Sequence, residues 1–336
     1  MTFYTGSAGI LARKAQLEPM LGHPLHAFKT NTELAQDDVL VGWGQKANTR
    51  QIRQKAHDLG LPYWQLEDGF IGYIGHPARG GKAVSLIADP VGIYYDARQP
   101  SRLEELIATP CDDSMLARAE TLTAELLRLG ITKYNCYTAD SGLPDTLTAR
   151  LHSDPRPKVL LIDQVAGDLS IPGALASEED FVAMVAAARR NHPDARLLLR
   201  THPDTRLGKK SGVLARLALD DVEVVAEHCH PHALLNSVEA VYTVSSQMGF
   251  EALLLGKAVH CFGMPFYAGW GLTHDSKTCP RRQGPIALPQ LVAAALILYP
   301  RYLDPILGQR CEVEQVLDII AGQQSPRSEE RRVGKE

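Results

Sequence analysis

Residues Val241 to Asp275, VYTVSSQMGFEALLLGKAVHCFGMPFYAGWGLTHD, read as strand, turn, helix, strand and a loop rich in Gly and aromatics. Val241 to Val244 is short and β-prone, and Ser245 and Ser246 stand where a helix needs its cap. Met248 to Leu255 supplies helix formers, Gly256 stops them, and Ala258 to Phe262 is the next apolar run. Two hydroxyls beside a fresh helix N-terminus offer an anion unpaired N–H groups and the positive end of the helix dipole. The same serines also read as an ordinary cap, so this stretch decides the local fold and leaves the phosphate seat open.

Working outward, strands and helices alternate. Lys158 to Ile162, Arg196 to Leu199, Val222 to Ala226 and Val241 to Val244 are predicted strands. Ser177 with Asp180 forms a capping box ahead of a helix carrying Phe181, Val185 and Ala188. Toward the amino terminus, Thr2 to Thr5, Asp38 to Trp43, Pro62 to Leu66 and Val84 to Ala88 are strands. Helices are expected from Gly9 to Leu21, Thr49 to Leu59, Ser101 to Ala108 and Ser114 to Leu129. The grammar is that of an α/β protein with two Rossmann-like lobes facing a cleft, a GT-B-like arrangement. The polar, Pro-bearing stretch Asp140 to Pro157 places the junction near residue 150, giving lobes 1–150 and 151–322. Leu288 to Leu298 and Glu312 to Ile320 would close the second lobe, and the charged tail 323–336 reads as disordered.

Composition narrows the partners. A net charge of -4 argues against nucleic acid, which calls for a basic surplus. There is no run of about 18 apolar residues to span a bilayer, and the start, MTFYTGSAGILARK, is unlike a secretion signal. The six cysteines are scattered without CxxC spacing, as suits reduced thiols in a cytoplasmic protein.

Four strand ends direct polar residues to one region: Glu67-Asp68-Gly69, Gln164 with Asp168, His202-Pro203, and Ser245-Ser246 with Glu251. Each alone is a weak signal. Together they supply phosphate donors, an imidazole for a leaving group and carboxylates for sugar chemistry.

LEDGF (Leu66 to Phe70), GIYYD (Gly92 to Asp96), KYN (Lys133 to Asn135), the Gln164-x-x-x-Asp168 pair, HPD (His202 to Asp204) and the Ser245 to Asp275 run carry a resemblance. Over residues 3 to 322 the chain resembles the retaining β-Kdo glycosyltransferases of Gram-negative capsule biosynthesis, the KpsC type. The resemblance implies CMP-Kdo as donor, and as acceptor a Kdo-terminated phosphatidylglycerol glycolipid at the inner membrane's cytoplasmic face, with other capsule assembly proteins as partners. It makes Asp168 the nucleophile, Gln164 its neighbour, Glu67 the general base supported by Asp68, and His202 the donor to the departing phosphate. Ser245 and Ser246 would hold that phosphate and Glu251 the ribose hydroxyls. Gly69, Lys133, Asn135, Pro203 and Gln247 complete the implied binding set. No metal or cofactor is implied, in keeping with the lack of an Asp-x-Asp pair.

Two departures stand out against that family. Where its members commonly carry Arg then Ser after EDGF and one apolar residue, this chain has Gly72 and Tyr73. Family members also hold two modules in tandem, and this chain matches one, most like the amino-terminal module. Other readings weighed are a CMP-sialic-acid transferase, a non-catalytic glycolipid-binding module and a sugar-nucleotide epimerase. His228 to His232 fits no common zinc spacing. Trp270 suits either stacking on a ligand or packing, and Arg189, Arg190, Lys209 and Lys210 either a lipid-facing or a solvated surface.

Overall fold

The structure is a computed structural model and describes residues 1–45, 47–138, 140–201, 211–217 and 219–324. Residues 325–336 of the predicted tail, His202, Pro203, Lys209 and Lys210 lie outside those residues, while Gln323 and Gln324, expected in the disordered tail, end a helix. The chain forms two α/β units: Met1–Ile93, Pro100–Ala139 and Val292–Glu336 make one, Tyr94–Gln99 and Asp140–Leu291 the other.

In the first unit the strands are β1 (Phe3–Thr5), β2 (Leu25–Ala27), β3 (Val39–Trp43), β4 (Tyr63–Asp68), β5 (Tyr73–Ile74), β6 (Lys82–Ala83) and β7 (Ser85–Asp89). β2, β1, β3 and β4 lie parallel in that order, and Phe3, Val39, Val41 and Leu66 are buried against Leu17 and Met20 of helix Lys14–Leu21. The expected first helix breaks at Arg13, which ends Ala8–Ala12 and starts Lys14–Leu21. β7 departs from a Rossmann sheet by pairing antiparallel with β4. Only the β5–β6 hairpin and a short 3-10 turn separate β4 from β7. Without a crossover helix the chain cannot return parallel.

The second unit holds β8 (Lys158–Ile162), β9 (Arg196–Arg200), β10 (Val222–Val225), β11 (Ala240–Thr243), β12 (Ala258–Cys261) and β13 (His274–Asp275). All are parallel, in the order β10-β9-β8-β11-β12-β13. This is the doubly wound order of a Rossmann sheet, as the alternation of the sequence predicts. The capping box at Ser177 and Asp180 is formed, and it starts helix Glu178–Asn191. Phe181, Met184 and Val185 of that helix are buried with Val159, Leu161, Leu197 and Tyr242 of the sheet. Burying a side chain the size of Phe181 contributes about 2–3 kcal/mol.

The chain then returns to the first sheet through β14 (Arg301–Asp304) and β15 (Gln309–Cys311), so residues 292–322 do not close the second lobe as expected. β14 completes the open edge of β7 in antiparallel pairing, and Tyr299 Oη donates to the buried Asp89 carboxylate at 2.7 Å. The β14–β15 turn is held by Asp304, whose Oδ1 accepts the N–H groups of Ile306 and Leu307, with Gly308 at φ 69°. Helix Val313–Gln324 is tied back by Arg118, which bridges Glu312 and Glu314.

Candidate active site

In the second sheet the strand order reverses between β8 and β11, the place where open α/β sheets bind their ligands outside the carboxyl ends. β8 runs there into Asp163 and Gln164, and β11 into Val244 and Ser245. The buried Gln164 amide spans the two strand ends. Its Oε1 accepts the Ser245 N–H at 2.8 Å and its Nε2 donates to Ser245 Oγ at 2.9 Å. Ser170 Oγ lies 3.3 Å from Gln164 Nε2 and 3.3 Å from Ser245 Oγ. Asp168 is exposed on the same loop, and its Oδ1 accepts the Ser170 N–H at 2.9 Å. Gln164 and Ser245, 81 positions apart, are therefore bonded directly, and Asp168 joins them through the Ser170 main chain.

Asp163 has a different job. It is 3% exposed, and its Oδ1 accepts the N–H groups of Gln164 and Leu214, both at 2.9 Å. Burial pushes its pKa up while these amides pull it down. The anchor is extended by Val213 N–H to Gln164 O and Ala166 N–H to Ser211 O, each 2.9 Å. A Cβ on Gly212 would sit 2.0 Å from Asp163 Oδ2, so only Gly fits that close approach. Asp163 shapes the loop that Asp168 ends.

Ser246 caps helix Gln247–Leu254, as its position predicts, with Oγ accepting the Met248 N–H at 3.3 Å. Its carbonyl accepts the Tyr267 hydroxyl at 2.6 Å, and a Cβ on Gly249 would meet that hydroxyl at 2.2 Å. Gly249→Ala is expected to lower stability by about 1–3 kcal/mol through overpacking, read as a shift in urea midpoint at unchanged slope. Tyr267→Phe, which removes the hydroxyl and adds no clash, is expected to cost about 1 kcal/mol. An unchanged midpoint for Gly249→Ala would contradict the close approach. Gln247 opens the helix and Glu251 is buried within it.

Trp270 is fully buried with Nε1 donating to Phe266 O at 3.0 Å, so it packs within its own unit. His230 caps helix Pro231–Asn236 by accepting the His232 N–H on Nδ1, and burial lowers the His232 pKa to about 4. The GIYYD segment turns at Asp89, which accepts the N–H groups of Val91 and Gly92. Beyond it, Ala97 N–H donates to Gly173 O at 2.8 Å, where a Gly173 Cβ would strike Tyr95 O at 2.4 Å.

In the first unit Glu67 and Asp68 close β4, as the sequence places them. Glu67 Oε1 accepts Trp43 Nε1–H at 3.1 Å and the Asp68 N–H at 3.0 Å. Burial raises the Glu67 pKa, opposed by these N–H groups and by the Lys133 charge. Asp68 Oδ1 accepts the Tyr73 hydroxyl at 2.6 Å and lies 3.7 Å from Arg13 Nη2, whose guanidinium covers the Trp43 ring at 4.4 Å. Gly69 is needed because a Cβ would lie 2.0 Å from Ser85 Oγ. Lys133 O accepts the N–H groups of Gly72 and Tyr73, and Asn135, at φ 50°, spends Nδ2 on Tyr73 O and Oδ1 on Thr132 N–H. Asn135 thus anchors its own turn to the start of β5. A Cβ at Gly72 would lie 3.1 Å from Gly69 O, a tight contact just ahead of the β5–β6 hairpin.

Sequence reasoning missed Arg13, Trp43, Tyr73 and Ser170. Trp43 stands at a strand's carboxyl end and was within reach of the reading. Arg13 and Tyr73 meet Asp68 only through folding of β5 and the helix break, which no local pattern encodes.

These geometries define an α/β protein with a donor cluster at a Rossmann switch point, and comparison with known proteins gives its family. The model of the capsule polysaccharide biosynthesis protein family matches residues 38–127 and 112–302, and the chain belongs to that family. It is 37% identical over 324 residues to the capsule polysaccharide modification protein LipA of Neisseria meningitidis serogroup B, covering 94% of this chain and 46% of LipA. The lipopolysaccharide-processing protein LpsZ of Rhizobium meliloti is 35% identical over 84% of this chain and 63% of its own length. The chain thus spans about half to two thirds of these curated relatives. Among solved structures, Thermosulfurimonas dismutans KpsC, β-Kdo 2,4 transferase, superposes with a TM-score of 0.87 at 40% identity, covering 96% of this chain and 98% of that one. The β-Kdo 2,7 transferase of the same organism's KpsC gives 0.69 at 27% identity, covering 97% and 100%.

Proposed function

We propose that this chain is a retaining β-Kdo glycosyltransferase of capsule polysaccharide biosynthesis. It takes Kdo from CMP-Kdo and passes it to a Kdo-terminated phosphatidylglycerol glycolipid, working in the cytoplasm peripheral to the inner membrane. The observation that carries the reading is the Gln164–Ser170–Ser245 cluster at the switch point with Asp168 bonded to it. Similarity to a β-Kdo 2,4 transferase over nearly the whole chain supports the sugar. Among the described residues no helix is long and apolar enough to cross a membrane.

The reaction follows double displacement. The Asp168 carboxylate attacks the Kdo anomeric carbon as its bond to the CMP phosphate oxygen breaks, leaving a glycosyl ester and free CMP. Ser245, the Ser246 cap and the N–H groups opening helix Gln247–Leu254 offset the charge gathered on the departing phosphate. His202 and Pro203, outside the described residues, are assigned to the same phosphate. Glu251, Gln247 and Lys133 are assigned to binding. In the second half Glu67 takes the acceptor hydroxyl proton while that oxygen displaces Asp168, and two inversions give retention.

The test is incubation with CMP-Kdo or CMP-sialic acid and a soluble Kdo-terminated acceptor, following CMP release and the product's anomeric configuration by NMR. CMP release from CMP-Kdo with a β-linked product is expected. Release from CMP-sialic acid alone would move the protein to that donor, and release from neither would make it a binding module.

A further inference from the structure

We propose that Ser170 is the positioning residue of the donor site, fixing the nucleophile against the phosphate seat. The assignment rests on the transferase reading above.

Ser170 does two separable things. Its main-chain N–H holds Asp168 Oδ1 at 2.9 Å, so one carboxylate oxygen is spent on orientation. Oδ2 has no hydrogen-bond partner among the described residues and is left for attack. The Ser170 hydroxyl meanwhile reaches across to the strand ends, 3.3 Å from both Gln164 Nε2 and Ser245 Oγ. The Gln164 amide has two hydrogens, and both are directed at serines: one at Ser245 Oγ, 2.9 Å, the other at Ser170 Oγ. Its carbonyl oxygen takes the Ser245 N–H at 2.8 Å and lies 3.3 Å from Ser245 Oγ.

Hydrogen counting shows why a hydroxyl is needed at position 170. Each serine has one O–H to donate and two lone pairs to accept. If Ser245 donates to Gln164 Oε1, Ser170 donates to Ser245 and the ring closes. If an anion draws the Ser245 proton outward, Ser170 still accepts from Gln164 and can donate to Ser245. The loop bearing Asp168 therefore stays tied to Ser245 whichever way its hydroxyl turns. Ser170 begins a four-residue helix, Ser170–Gly173, so the tie anchors an otherwise exposed loop. With Ala at this position the amide that orients Asp168 survives and Gln164 still bonds Ser245, but the direct tie from residue 170, two positions from the nucleophile, to Ser245 is gone. A misplacement of about 1 Å in a displacement reaction costs on the order of 10²-fold in rate.

The test uses the full chain, CMP-Kdo without acceptor, and intact-mass kinetics of the Asp168 adduct in wild type, Ser170→Ala and Ser170→Thr, alongside CMP affinity by calorimetry. Ser170→Ala is expected to slow adduct formation by about 10- to 100-fold, with CMP affinity changed less than about threefold. Ser170→Thr, which keeps the hydroxyl, is expected to recover most of the rate. An adduct rate in Ser170→Ala equal to wild type overturns the assignment. So does a fall in CMP affinity as large as the fall in rate, or a Thr variant no faster than Ala. A wild-type chain that forms no adduct overturns the transferase reading itself, and this assignment with it.

Discussion

Asp168→Ala and Asp168→Asn are both expected to lose transfer by about 10⁴-fold, the order found when a group indispensable to a covalent step is removed. The side chain is exposed and makes one hydrogen bond, to the Ser170 N–H, so folding should change by no more than about 1 kcal/mol. Asn keeps an acceptor for that N–H and removes only the nucleophilic charge. Equal loss in both variants therefore assigns the effect to chemistry and not to loop shape. Mass spectrometry after mixing with CMP-Kdo should find one Kdo on wild type and none on either variant. A persisting adduct, or one mapped to another residue, would place the nucleophile elsewhere.

Glu67→Gln is expected to reduce overall transfer by about 10²- to 10⁴-fold, the usual worth of a positioned general base. Its effect should fall on the second half of the reaction alone. CMP release in the first turnover stays fast, and the glycosyl adduct accumulates because the acceptor hydroxyl keeps its proton. Burial lifts the Glu67 carboxyl above its ordinary range, so wild-type kcat/KM for the acceptor should fall on the acid side with a midpoint above that of a free glutamate. The limb is absent in Glu67→Gln.

The same shift has a sign for stability. A carboxyl whose folded pKa is raised holds its proton more tightly in the native state. It therefore contributes stability below its unfolded pKa and loses that contribution as pH rises through the folded value. The amide should accordingly stand better than the carboxylate at neutral pH in melting experiments. A Gln variant with a wild-type acid limb and no accumulated adduct would remove Glu67 from the mechanism.

Much of this was legible before any fold was known. The run Lys158 to Ile162 is a strand with those bounds, Ser177 and Asp180 form the expected capping box, and Ser246 caps the helix it was expected to cap. Such features depend on neighbours a few residues away, where apolar periodicity and cap chemistry dominate. Asp163, by contrast, ends its strand in the sequence and could either anchor the turn or act in place of Asp168. The Gly212 approach and the Leu214 amide bury it and turn it into an anchor.

The sequence by itself determined the class: alternating strands and helices, with polar residues at the carboxyl ends of strands. Only the tertiary structure decided that β14 and β15 return to the first sheet, since β14 pairs with β7 across more than 200 positions. It also decided that Ser170 joins Gln164 and Ser245, and that Arg13 and Tyr73 meet at Asp68. Local propensity reports which element a residue enters. Which side chains meet depends on strand order and register, and these are set when the whole sheet buries its apolar faces.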